Sequence, residues 1–204
     1  MTTVPRDRTS LAALTLVAAA GAAWAGLAAW EPPMGLVGFL LGWALMMTAM
    51  MLPSTVPLAL LYRGSRELLA VGYLAVWTAT GIVPYLAMEQ GFEPAVPVVL
   101  ALAGVYELSP LKAACLRRCQ DPATFLMQHY RSGPLTLGVE HGLWCIGCCI
   151  GLMVVLVLAA SMGLGWAALI AAIVTVQKVL HLGERVAWAT GVGLLAAALV
   201  TAIG

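Results

Sequence analysis

The chain has 204 residues, of which 62% are apolar and 9% charged, and a formal net charge of +1. Its mean hydropathy is +0.98. An ordinary soluble domain is about 45–50% apolar and about 25% charged, and a chain of this size has too little interior for the excess. A water-soluble domain and a disordered chain are therefore excluded, and the charge points to no nucleic-acid partner.

A membrane β-barrel is disfavoured, because its strands alternate and lack long apolar runs. The class that remains is all-α: a polytopic transmembrane helical bundle whose first partner is the lipid bilayer. At about 20 apolar residues per span, seven spans are expected. They are Ser10–Trp30, Met34–Leu61, Leu68–Glu89, Glu93–Leu111, Leu135–Ala160, Leu164–Lys178 and Val186–Ile203. Arg6 and Arg8 ahead of an apolar stretch also fit a signal peptide, but the six spans that follow favour an uncleaved helix.

The ten basic residues test this map. Arg6 and Arg8 precede the first span. Arg63 and Arg66 join the second and third, and Lys112, Arg117, Arg118 and Arg131 join the fourth and fifth. Lys178 and Arg185 join the sixth and seventh. All ten then fall on one side, against only Glu31, Glu89 and Glu93 on the other. Basic loops stay cytoplasmic, so the N-terminus is expected inside and the C-terminus outside. Ser109-Pro110 and Asp121-Pro122 each read as a capping residue followed by proline at the first helical position. Two short helices, Pro110–Cys119 and Pro122–Tyr130, are expected at the cytoplasmic surface.

The fifth span carries His141, Cys145, Cys148 and Cys149. On a helix these lie within an arc of about 100°. Soft thiolates select Cu(I), zinc or iron–sulfur clusters, and imidazole suits copper and zinc. Copper as Cu(I) is the first candidate, with zinc or no metal as alternatives. Buried cysteine is also an ordinary core residue, but three within five residues beside a histidine exceed what packing requires. Glu140 is expected to find its partner on a neighbouring helix, since adjacent residues do not face each other.

The second span carries Met46, Met47, Met50 and Met51, followed by Pro53. Thioethers also suit Cu(I), although methionine is equally a filler of irregular cores. These residues lie about 15–22 Å from the cytoplasmic end of their span, and the cysteines about 14–20 Å from theirs, at 1.5 Å per residue. Both clusters are thus expected near mid-membrane, with Pro53 kinking the helix and freeing carbonyls. Cys115 and Cys119 share a helix face four residues apart. Arg117 and Arg118 beside them favour thiolates, which makes this pair a candidate for passing metal to or from the cytoplasm. Glu107, just before Ser109-Pro110, is a candidate for holding a proton or cation or for capping the kink. His129 and His181 read as interfacial residues.

Several of these stretches together resemble an uncharacterised family of bacterial proteins described as predicted metal-binding integral membrane proteins. They are Met46-Met47-Thr48-Ala49-Met50-Met51-Leu52-Pro53-Ser54, Tyr106–Lys112 with Cys115 and Cys119, Arg131-Ser132-Gly133, His141-Gly142 with Cys145–Cys149, and Met162–Trp166. The resemblance implies metal binding and a place in the bacterial cytoplasmic (inner) membrane. The pattern of that family has glutamine where this chain has Glu107, and a Glu-Lys pair where this chain has Gln177-Lys178. It also has tryptophan in place of Ile150 and a proline near His181.

The leading expectation is a Cu(I)-handling, multi-pass membrane protein that transports copper or delivers it to a membrane metalloenzyme, with a soluble metal chaperone as a further partner. No catalytic residue is assigned, and the chain carries no nucleotide-binding loop. Two alternatives stay open. One is a quinone-linked thiol–disulfide oxidoreductase using Cys145 and Cys148. The other is a non-catalytic subunit of a membrane complex or oligomer, packed through small residues such as Ala18–Ala23.

Overall fold

The computed structural model describes residues 6–29, 31, 33, 35–129, 132–158, 163–180 and 182–203. Among these, all regular structure is helical. The helices are α1 (Arg6–Ala29), α2 (Leu36–Met51), α3 (Val56–Leu61), α4 (Arg66–Thr80), α5 (Ile82–Glu89) and α6 (Val96–Glu107). They continue with α7 (Pro110–Gln120), α8 (Pro122–His129), α9 (Pro134–Leu158), α10 (Leu164–Val179) and α11 (Gly183–Ile203). Trp30, Met34, Tyr130, Arg131, Ala160, Met162 and His181, which figure in the expectations above, lie outside the described residues.

Four stretches are long and apolar enough to cross a membrane: Leu36–Leu61, Arg66–Glu89, Pro134–Leu158 and Gly183–Ile203. These fall on the expected second, third, fifth and seventh spans. On the expected fourth span lies α6, and α7, expected as a surface helix, follows it at a bend of 60°, the two together apolar and long enough for one broken span. Apolar helices of 10–17 residues, Ala13–Ala29 and Leu164–Val179, occupy the expected first and sixth. The bend at α6–α7 follows from local chemistry. Ser109 caps α7 by accepting from the Lys112 backbone N–H at 3.2 Å, and Pro110 sits at the first helical position, where no N–H is needed.

The chain forms two compact units. The first comprises Met1–Ile82 and Pro122–Gly142. Within it, α4 and the start of α9 approach closely through glycine. A Cβ at Gly72 would stand 2.2 Å from the Leu135 carbonyl oxygen, and one at Gly138 would stand 2.1 Å from that of Leu69. Trp43 of α2 donates to the Trp77 carbonyl at 2.9 Å, tying α2 to α4. Pro53 interrupts the helical ladder, and Leu52–Thr55 tightens into a 3-10 turn between α2 and α3. Hydroxyl groups take up carbonyls at this turn. Ser54 donates to Met51 at 2.7 Å, Thr55 to Leu52 at 2.8 Å and Tyr73 to Met51 at 3.4 Å. The Met51 and Leu52 carbonyls are therefore hydrogen-bonded by these side chains.

The second unit comprises Val83–Asp121 and Leu143–Gly204. Its main packing is α6 against α11, where a Cβ at Gly104 would stand 2.9 Å from the Gly191 carbonyl oxygen. Small residues at such crossings let backbones meet. Outward-facing positions are apolar in both units: Leu14, Val83, Leu102, Val200 and Ile203 are 65–78% exposed.

Candidate metal centre

The thiols gather in the second unit. The Sγ atoms of Cys145, Cys148 and Cys149, all on α9, lie within 4.8 Å of one another, and all three residues are buried. The helical spacing explains this: steps of three and one residues keep the side chains on one flank. The Cys148 and Cys149 sulfurs are 3.4 Å apart, and Cys148 donates to the Cys145 carbonyl at 3.2 Å. All five cysteines are thiols rather than disulfides.

Helix α7 adds a fourth sulfur. Cys148 Sγ lies 3.6 Å from Cys119 Sγ, and Cys119 is half-buried. Cys115, one turn earlier, packs elsewhere: a Cβ built at Gly147 would stand 2.7 Å from its Sγ. The expected pair therefore divides into one thiol at the cluster and one thiol filling the notch over Gly147. Tyr106 closes the same region by donating from its hydroxyl to the Gly147 carbonyl.

The cation that reaches the cluster is Lys178 of α10. Its ammonium donates to Cys145 Sγ, and the side chain is buried. Arg117 and Arg118 were expected to favour thiolates at Cys115 and Cys119, and their guanidinium groups have other contacts as well. Arg117 pairs with Glu184 at 3.0 Å on an exposed surface, and Arg118 lies over the Trp144 ring at 4.3 Å. A buried ammonium is costly unless paired. Here it stands beside three thiols, which would be anionic if they held a metal.

A second buried network holds α10 in place. Lys112, expected as a loop charge, is fully buried and pairs with Glu107 across the α6–α7 bend. Lys112 also donates to Gln177 Oε1 at 2.8 Å, and Gln177 Nε2 donates to Glu107 Oε2 at 3.1 Å and to Thr190 at 3.4 Å. Glu107 is thus an ion-pair partner, satisfied on both carboxylate oxygens. Gln120, next to Cys119, donates to the Gln177 carbonyl at 2.6 Å and the Leu180 carbonyl at 3.3 Å, covering the C-terminal end of α10. Among the described residues, Lys112 and Lys178, both counted in the charge asymmetry, are therefore interior.

The other candidate ligands lie in the first unit. Met47, Met50 and Met51 are buried to within 1% and Met46 is half-buried. His141 is buried, with its ring 5.7 Å from that of Tyr73 and 5.3 Å from that of Phe125. Glu140 Oε2 stands 3.7 Å from His129 Nε2 of the neighbouring α8, beyond hydrogen-bond distance. His129 Nδ1 is 2.9 Å from the Phe125 carbonyl oxygen.

A family model described as PpoB2 copper chaperone matches residues 40–201. The chain belongs to the PpoB2 copper chaperone family. No curated protein and no solved structure matches it. The matched stretch contains every residue of the thiol cluster, the Lys112–Glu107–Gln177 network, and the methionines of α2. Lys112, Gln177 and Lys178 were not among the expected site residues. The available signal was an amide and an ammonium, Gln177-Lys178, at the end of an otherwise apolar helix.

Proposed function

We propose that this protein is a copper chaperone of the membrane that carries Cu(I) as cargo on the thiolates of Cys145, Cys148 and Cys149. The observation that carries the reading is the approach of three buried sulfurs to within 4.8 Å of one another, with a buried ammonium alongside. The donor set is soft and suits Cu(I). The family description supports copper as the metal. Three thiolates and one Cu(I) leave two negative charges, and Lys178 balances one of them, which eases the cost of burial.

In this reading the apolar helices cross the cytoplasmic membrane in seven spans, with the N-terminus inside. The α6–α7 bend and the outward apolar side chains support it. Cys119, half-buried and 3.6 Å from Cys148, is the thiol through which copper is exchanged with an acceptor, a copper-dependent metalloenzyme or a soluble carrier. His141 and the thioethers of Met46, Met47, Met50 and Met51 are further soft donors, in the first unit, each testable by its own variant.

Elemental analysis of protein purified anaerobically in detergent tests the proposal, beside a variant with Cys145, Cys148 and Cys149 all changed to Ser. Copper in the parent and none in the variant is expected. No metal in either protein, after copper supplementation under reducing conditions, would overturn the reading. The Cys119–Cys148 approach also fits a thiol–disulfide oxidoreductase. A disulfide that cycles with a quinone, in protein that retains no copper, would favour that alternative.

A further inference from the structure

Cys148 is placed between two sets of sulfurs. On one side Cys149 is 3.4 Å away and Cys145 is within 4.8 Å; on the other Cys119 is 3.6 Å away. With metal–sulfur bonds of about 2.3 Å, the zinc–thiolate length, sulfurs on a three-coordinate ion stand about 4.0 Å apart and those on a linear two-coordinate ion about 4.6 Å. The two short approaches of Cys148 lie within about 1 Å of those spacings. Each can open to admit a metal by rotation of the side chains.

We infer that the site holds two Cu(I) ions in a four-sulfur cluster, with the Cys148 thiolate bridging them. One ion is held by Cys145, Cys149 and Cys148, and the second by Cys148 and Cys119. The inference rests on the copper reading above and deepens it by fixing the cargo number and the shared ligand. The charge supports it. A second Cu(I) brings one positive charge and the Cys119 thiolate one negative, so the second ion adds no net charge to a buried site whose remaining negative charge Lys178 already halves. No electron moves. Copper enters and leaves as Cu(I), and each thiol that binds releases its proton. The bridge also provides a route, because an ion bound by Cys119 and Cys148 already shares a ligand with the inner position. Cys115 is outside the cluster, seated on Gly147 instead.

The test is a stoichiometric titration of the anaerobic, reduced full-length protein with Cu(I) in the presence of a chromophoric Cu(I) chelator, joined to X-ray absorption of the loaded protein. The expected result is two Cu(I) per chain and a copper–copper scattering vector. Cys119→Ser is expected to bind one Cu(I) and to lose the vector. Cys115→Ser, equally conservative, is expected to keep two ions and the vector, which separates loss of a ligand from disturbance of α7. One ion in the parent, or two ions retained in Cys119→Ser, would overturn the two-copper cluster while leaving the copper reading intact. No copper bound by the parent would overturn both.

Discussion

The ammonium of Lys178 donates to the sulfur of Cys145, although the two residues are 33 positions apart and on different helices. If the cluster binds Cu(I) as proposed, its three thiolates keep net negative charge, so the ammonium would continue to be attracted after loading. Two unit charges at about 4 Å interact by about 4 kcal/mol at an effective dielectric of 20. The desolvation of the ammonium offsets part of that.

Lys178→Met should therefore lower Cu(I) affinity by about 2–3 kcal/mol, roughly 30- to 150-fold. Competition with a chromophoric chelator measures it. Lys178→Arg keeps the charge and should recover much of the loss. An unchanged affinity in the methionine variant would mean that the cluster binds with its thiols largely protonated or outside the reach of Lys178.

The Glu107–Lys112–Gln177 network predicts a charge-swap rescue. Lys112 contacts both Glu107 and Gln177, so the carboxylate can sit at either position and still meet the ammonium. Glu107→Gln alone leaves a buried ammonium unpaired, a loss of about 3–5 kcal/mol. Gln177→Glu alone crowds two carboxylates on one lysine. The double variant restores one acid, one amide and one ammonium. Its thermal stability in detergent should return close to that of the parent, with a coupling of at least about 2 kcal/mol in the double-mutant cycle, toward the upper part of the range for residues in contact. Additive losses would show that the carboxylate is needed at position 107 itself.

What was legible in the sequence was local. Ser109-Pro110 and Asp121-Pro122 announced α7 and α8 because capping chemistry is contained within a few residues. The spacing of Cys145, Cys148 and Cys149 announced their convergence because it is a property of one helix. What was not legible depended on distant partners. A lysine at the end of an apolar helix reads as an interfacial charge, and only packing against α9 and α6 makes Lys178 and Lys112 interior. Cys115 and Cys119 share a helix face by spacing, yet Gly147 receives one and Cys148 the other. Glu107 offered no way to tell a proton carrier from an ion-pair partner until Lys112 was seen against it.

Gly147 sets the seat of Cys115. A methyl group added there would stand 2.7 Å from the Cys115 sulfur but 3.4 Å from its Cβ. Gly147→Ala should cost about 1–3 kcal/mol by overpacking, read as a lower midpoint of thermal unfolding. Adding Cys115→Ala removes the sulfur and leaves an ordinary contact, so the double variant should regain most of the loss. Failure of the second change to help would place the strain at the Tyr106 hydroxyl, which donates to the Gly147 carbonyl.

Reactivity should separate Cys119 from the other thiols. Cys119 is half-buried, whereas Cys115, Cys145, Cys148 and Cys149 are buried. A thiol must be reached before it can react, and buried cysteines are inert to reagents in water. Under brief anaerobic treatment of the folded protein with a water-soluble maleimide, peptide mapping should find label on Cys119 first and the other four only after unfolding. Loading with Cu(I) should slow the labelling of Cys119, because a coordinated sulfur has lost the lone pair that attacks. Equal labelling with and without copper would remove Cys119 from the path of the metal, and early labelling of Cys145 would contradict the burial of the cluster itself.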